Sequence, residues 1–82
     1  MHYRLIVNRE PKRKLHLLPK SARKEIGYRL YLLQEDLAGD VKKLRGSKNV
    51  YRMRAGDYRV IFQLEGDIIT VYDVGNRKDI YQ

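Results

Sequence analysis

Within "VYRMRAGDYRVIF", Val50 to Phe62, three guanidiniums (Arg52, Arg54 and Arg59) interrupt residues that otherwise suit a buried strand. Arg77 and Lys78 follow in the C-terminal segment, and Tyr81 stands next to last. Arginine presents a planar fork of donors that matches phosphate oxygens two at a time. With a pKa above about 12 it is a poor base, so such a cluster holds negative charge rather than moving protons. Tyrosine adds a ring that stacks on a nucleobase. Its phenol has a pKa near 10 when unperturbed, a value that neighbouring guanidiniums would lower. Together these groups suit attack of an RNA 2′-OH on the adjacent phosphate. The arginines would stabilise charge on the pentavalent phosphorus, and Tyr81 would act as base or acid. The reaction needs no metal, but it needs an external agent to position the RNA.

Several other chemistries are poorly served. The chain has no cysteine, which excludes a thiol nucleophile and disulfides, and His2 and His16 have no nearby ligand-type companions. No metal site or cofactor is expected. The C-terminal half contains no histidine, so a catalytic histidine pair is unavailable. Eighteen Lys and Arg against ten Asp and Glu give a net charge of +8, a balance that favours a polyanionic partner. No apolar run approaches the roughly 20 residues of a membrane span, and the N-terminus does not lead into a signal-peptide core. A soluble cytoplasmic chain with no membrane partner is the expectation. Its length suits a single domain, residues 1–82.

The elements that must position these groups follow from periodicity. "HYRLIV", His2 to Val7, predicts a short strand. Asn8 is placed to cap a helix from Arg9 to about Leu17, which must stop before Pro19. A second helix begins at Pro19, with Ala22, Ile26, Leu30, Leu33 and Leu37 as its apolar stripe and Gly39 as its end. From Lys48 the period changes to two. Val50–Arg54, Tyr58–Leu64 and Asp67–Asp73 predict three strands, joined as an antiparallel meander by Gly56-Asp57 and Gly66-Asp67, with a break at Gly75-Asn76. The expected fold is α+β, in the order β-α-α-β-β-β: a small antiparallel sheet with two N-terminal helices packed on one face. Tyr3, Tyr28, Tyr31, Tyr51, Tyr58 and Tyr72 are expected to pack in or around its core.

A hairpin loop at Ala55–Tyr58 sets Arg54 opposite Arg59 and puts Arg52 on the same face, with Tyr51 and Met53 turned toward the helices. Like charges opposed across a hairpin destabilise it unless an anion intervenes. A solvated, solubilising strand face is the plainer alternative, although mixed charges would serve that purpose better. Lys42, Lys43, Arg45 and Lys48 arrive on a Gly-containing connection before the hairpin, and Arg77 and Lys78 arrive from the other side. The expected result is a cationic groove suited to an RNA backbone with a splayed nucleotide. Asp73 is placed either to orient a groove arginine or to be a simple edge charge.

"VKKLRGSKNVYRMRAGDYRVIF" followed by "ITVYDVGNRKDIYQ" resembles the RelE/ParE superfamily of toxins, specifically its RelE branch, over almost the whole chain. The resemblance implies a RelE-like fold and a ribosome-dependent endoribonuclease that cleaves mRNA in the ribosomal A site and so inhibits translation. It further implies an acidic cognate antitoxin from the same operon, with operator DNA contacted only through that antitoxin. By motif position, Arg52 and Arg54 stand where RelE proteins hold basic catalytic residues, often lysines. Arg59 and Arg77 match the arginines that grip the scissile phosphate, and Tyr81 matches the C-terminal tyrosine that stacks on or activates the substrate nucleotide. Lys42, Lys43, Arg45, Lys48 and Lys78 would contact mRNA or ribosomal RNA. Asn76 replaces the histidine common in V-G-H-R, which removes a base at that position. Arginines at 52 and 54 leave Tyr81 the better proton-transfer group. A ParE-like inhibitor of DNA gyrase and a catalytically weakened RNA-binding homologue are the alternatives.

Overall fold

The computed structural model describes residues 2–36, 40–44, 46, 48–76 and 78. Its elements run β1 (Arg4–Val7), α1 (Arg9–Leu17), α2 (Lys20–Asp36), β2 (Asp40–Lys43), β3 (Val50–Ala55), β4 (Tyr58–Glu65) and β5 (Ile68–Asn76). The strands form one sheet in the order β1-β5-β4-β3-β2. α1 lies between Asn8 and Pro19 as expected, and α2 carries the expected apolar stripe. α1 begins after Asn8, whose backbone is extended and whose carbonyl accepts from the Lys12 N–H at 3.0 Å. The Asn8 side chain makes no capping bond, contrary to expectation. Leu37 and Gly39, read as the end of α2, lie outside the described residues.

The α+β class and the two helices stand, and two features of the sheet differ from the expected meander. Asp40–Lys43, read as a loose connection, forms the edge strand β2 and pairs antiparallel with β3. With Val41 its lone apolar residue, this strand is too short to show a period. Its lysines suit an edge, where charge discourages further strand pairing. The sheet is also mixed rather than wholly antiparallel, because β1 runs parallel to β5. Two helices separate β1 from the remaining strands and return the chain, and sequence alone does not say beside which strand β1 inserts.

The two remaining hairpins turn tightly. Gly56 and Gly66 each open a two-residue loop with φ of +63°, the sign that the favoured hairpin turns require at this position. β5 continues past the expected stop to Asn76, through a register shift opposite Ile61 and Phe62. Phe62 pairs with Val71 while Ile61 pairs with Asp73, so Tyr72 is the extra residue of a β-bulge. The bulge explains how Val71 and Val74, three residues apart, are both buried. An unbroken strand would have turned one of them outward.

Ile26, Leu30 and Leu33 of α2 pack on Met53, Val60, Phe62, Ile69 and Val71 of the sheet, with Leu15 of α1 and Leu18 just after it at the margin. Tyr51 joins them by stacking on Phe62 across the hairpin, with ring centroids 5.5 Å apart. Tyr3 and Tyr58 also pack against the core. Tyr28, Tyr31 and Tyr72 do not: each is exposed. The two α2 tyrosines sit on the helix face opposite the Ile26–Leu33 stripe, and Tyr72 is displaced by the bulge.

Candidate nucleic-acid interface

Strand pairing brings the predicted cations together. Arg54 lies directly opposite Arg59, and Lys42 directly opposite Arg52. Opposed residues project to one side of the sheet, so Lys42, Arg52, Arg54 and Arg59 share the face away from Met53 and Val60. Two rows cross this face. The first runs Lys42, Arg52, Ile61, Asp73, and the second runs Asp40, Arg54, Arg59, Gly75, so that Arg54 has an acidic residue opposite it on one side and a basic one on the other. Directly opposed like charges destabilise a sheet by a few tenths of a kcal/mol to about 1 kcal/mol per pair, and this one carries two such pairs. Lys43 pairs with Tyr51 and therefore belongs to the helix side.

The three guanidiniums differ in access. Arg54 is exposed and Arg52 half-buried. Arg59 is only 7% exposed, and its Nη1 donates to the Tyr58 carbonyl at 3.3 Å. The residue opposite it in β5 is Gly75, which presents no side chain and leaves room for the long aliphatic stem. Sequence reasoning placed Arg59 on the correct face but missed its burial. The signal was the glycine, whose position against Arg59 depends on the bulge. The Nε of Arg52 is sealed from solvent and has no hydrogen-bond partner among the described residues. An unmet buried donor is costly.

Asp73 sits in the Arg52 row but is held from elsewhere. Lys14 of α1 donates to its Oδ1 at 2.7 Å, and the Val74 N–H donates to the same oxygen at 2.9 Å. The acid thus ties α1 to the bulged stretch of β5. Of the flanking cations, Lys48 is exposed in the turn before β3. Lys78 is also exposed, and its backbone N–H bonds to the Asn76 side-chain oxygen at 3.0 Å. Arg45, Arg77 and Tyr81 lie outside the described residues.

Two hollows are lined by described residues on other parts of the molecule. One of about 430 Å³ is bounded by Val7, Lys12, Leu15 and His16 beside α1. A smaller one of about 60 Å³ is bounded by Val41, Tyr51, Phe62 and Leu64 on the helix side of the sheet. The cations lie along a strand surface, which suits an extended polyanion. Among the described residues, no three His, Asp or Glu side chains are grouped to hold a metal ion. A further electrostatic perturbation lies away from the face. In the first turns of α1, a hydrogen bond and charge from Arg13 hold the Glu10 carboxyl below its ordinary range.

Comparison with known proteins gives this arrangement a family. A sequence model of the ParE toxin of type II toxin-antitoxin systems, parDE, matches residues 3–81. The chain belongs to that family. It is 46% identical over 46 residues to Toxin RelE3 of Methanocaldococcus jannaschii, and that match spans 56% of this chain and 52% of the relative. The chain thus aligns with about half the length of that curated toxin. Among solved structures it is similar to the archaeal RelE–RelB complex of Pyrococcus horikoshii OT3, with a TM-score of 0.82, 28% identity, and 96% of this chain and 99% of that one covered. The RelB–RelE antitoxin–toxin complex of Methanococcus jannaschii gives a TM-score of 0.79 at 30% identity, with 92% and 93% covered. A free Escherichia coli RelE variant shares the fold, with a TM-score of 0.80 at 22% identity over 98% and 88% of the two chains. The RelE/ParE superfamily assigned from the hairpin motif is therefore correct, and so is the RelE-like α+β fold. Within this superfamily frame the arginine hairpin is the central ribbon of the sheet, flanked by β2 and β5.

Proposed function

We propose that this chain is the toxin of a type II toxin–antitoxin pair, a ribosome-dependent endoribonuclease that cuts mRNA in the A site. The observation that carries the reading is the register of β2, β3 and β4, which sets Lys42 against Arg52 and Arg54 against Arg59 on one sheet face. An RNA phosphate laid over these pairs turns their mutual repulsion into shared attraction. Arg54 is the accessible fork. Arg52 flanks it, and Arg59 adds positive charge from beneath.

The reaction is transesterification. The 2′-oxygen forms a bond to phosphorus as the bond from phosphorus to the 5′-oxygen breaks. The 2′ proton leaves to a base, and the 5′-oxygen takes up a proton. The guanidiniums stabilise the phosphorane charge but do not accept the proton. Tyr81 is the group of this chain assigned to that transfer. No metal is required for these steps, and the ribosome supplies the positioning that a surface site of this kind does not.

The inhibitory partner is an acidic antitoxin, as the RelE–RelB pairing of the relatives suggests. Operator DNA would be contacted only through it. The place of action is the cytoplasm; among the described residues no helix is long and apolar enough to cross a membrane. A gyrase-directed reading has one observation in its favour, the ParE description of the family model. Adding the protein to a cell-free translation reaction and to a separate gyrase supercoiling reaction distinguishes the two. mRNA cut only when ribosomes are present is the expected result. Gyrase-dependent DNA breaks with intact mRNA would establish the other reading.

A further inference from the structure

The solvent side of α2 has no part in the site above, yet its chemistry is ordered. Lys24, Tyr28, Tyr31 and Glu35 follow one another at spacings of four, three and four, opposite the buried stripe of Ile26, Leu30 and Leu33. All four are exposed, the tyrosines at 58% and 57%. Gly27 lies between them, inside a 17-residue helix. Glycine there costs about 1 kcal/mol relative to alanine, and packing within the chain does not demand it. A Cβ at Gly27 would meet nothing within 4 Å.

We propose that this stripe is a self-complementary docking face, on which a second copy of the chain packs antiparallel through α2. The four-three-four spacing reads the same in both directions. Reversal exchanges Lys24 with Glu35 and Tyr28 with Tyr31, about a centre between Arg29 and Leu30. A two-fold axis at that centre sets each Lys24 against the second copy's Glu35 and lays the four tyrosines together. The bare surface at Gly27 gives the second copy's Tyr31 ring room to approach the helix. The His2 ring bonds Glu35 at Oε2, 2.9 Å away, and the carboxylate has a second oxygen through which it can accept from the incoming ammonium.

One helix pair falls below the roughly 1,200 Å² of a standard interface, and the net charge of +8 opposes association. The dimer is therefore weak and concentration-dependent. Its axis lies on the far side of α2 from the sheet, so the arginine face of each copy points away from the junction. The proposal stands whether or not the chain cleaves RNA.

Sedimentation equilibrium of the purified chain, over a wide concentration range at physiological salt, tests it. The wild type should rise from monomer to dimer mass. Lys24→Glu and Glu35→Lys should each weaken this by more than about tenfold, because like charges then face each other. Mixing the two variants should restore a dimer, since the reversed charge of one chain meets the reversed charge of the other. Circular dichroism checks that both variants stay folded. A wild type that is monomeric throughout, or folded variants that do not pair when mixed, would overturn the proposal. A monomer whose affinity for single-stranded RNA falls on Tyr28→Ala would assign the face to RNA instead.

Discussion

At the scale of single residues, access separates the roles of the guanidiniums. Arg54→Ala should weaken RNA binding and flatten its salt dependence, removing about 0.7 from the logarithmic slope for each phosphate no longer neutralised. The fold should be unaffected, because this side chain is exposed. Arg59→Ala should act differently. Its near-complete burial predicts a stability loss of about 1–3 kcal/mol as well as weaker binding, and Arg59→Met should restore much of the stability but not the binding. Chemical denaturation alongside filter binding separates the two effects. Lys14→Met removes a pair whose members are each more than a third exposed. Solvent screening limits that loss to less than about 1 kcal/mol, read as a small fall in denaturation midpoint.

Elements show where local chemistry is decisive and where pairing is. Gly27→Ala should raise the stability of the monomer by up to about 1 kcal/mol, since the added methyl meets open space on a helix. Gly66→Ala should lower it, because the turn holds φ at +63°. Thermal unfolding of both variants reads the opposite signs. The same contrast governs what the sequence made legible. Both helices and the hairpin were visible because capping positions, Pro19, the two Gly-Asp turns and a change of period are local signals. The face shared by Arg52, Arg54 and Arg59 followed from counting residues around a two-residue loop. β2 was not legible, since four residues with one apolar member carry no period. The bulge was hidden for a related reason: Val71 and Val74 break alternation in a way that also reads as a strand ending. Burial of Arg59 and the attachment of Asp73 to Lys14 depend on that bulge, so neither was accessible from sequence.

For the whole molecule, charge and surface shape point to the same kind of partner. A net charge of +8 is concentrated in part on a strand face. Such a surface attracts extended polyanions and acidic chains, steering them over distances comparable to the Debye length. Association with an acidic antitoxin should accordingly slow as salt rises, with the change mainly in the on-rate. On the proposed reading, Asn76, Arg52 and Arg54 supply no general base, so the reaction relies on outside positioning of the RNA. Cleavage without ribosomes should therefore be very slow. The most direct test adds the purified chain to a reconstituted translation reaction with a defined mRNA and maps the RNA ends. The account predicts cuts only with ribosomes present, within the A-site codon, leaving 2′,3′-cyclic phosphate and 5′-hydroxyl termini, and abolished in Arg54→Ala. Intact mRNA on stalled ribosomes, or undiminished cleavage by Arg54→Ala, would contradict it.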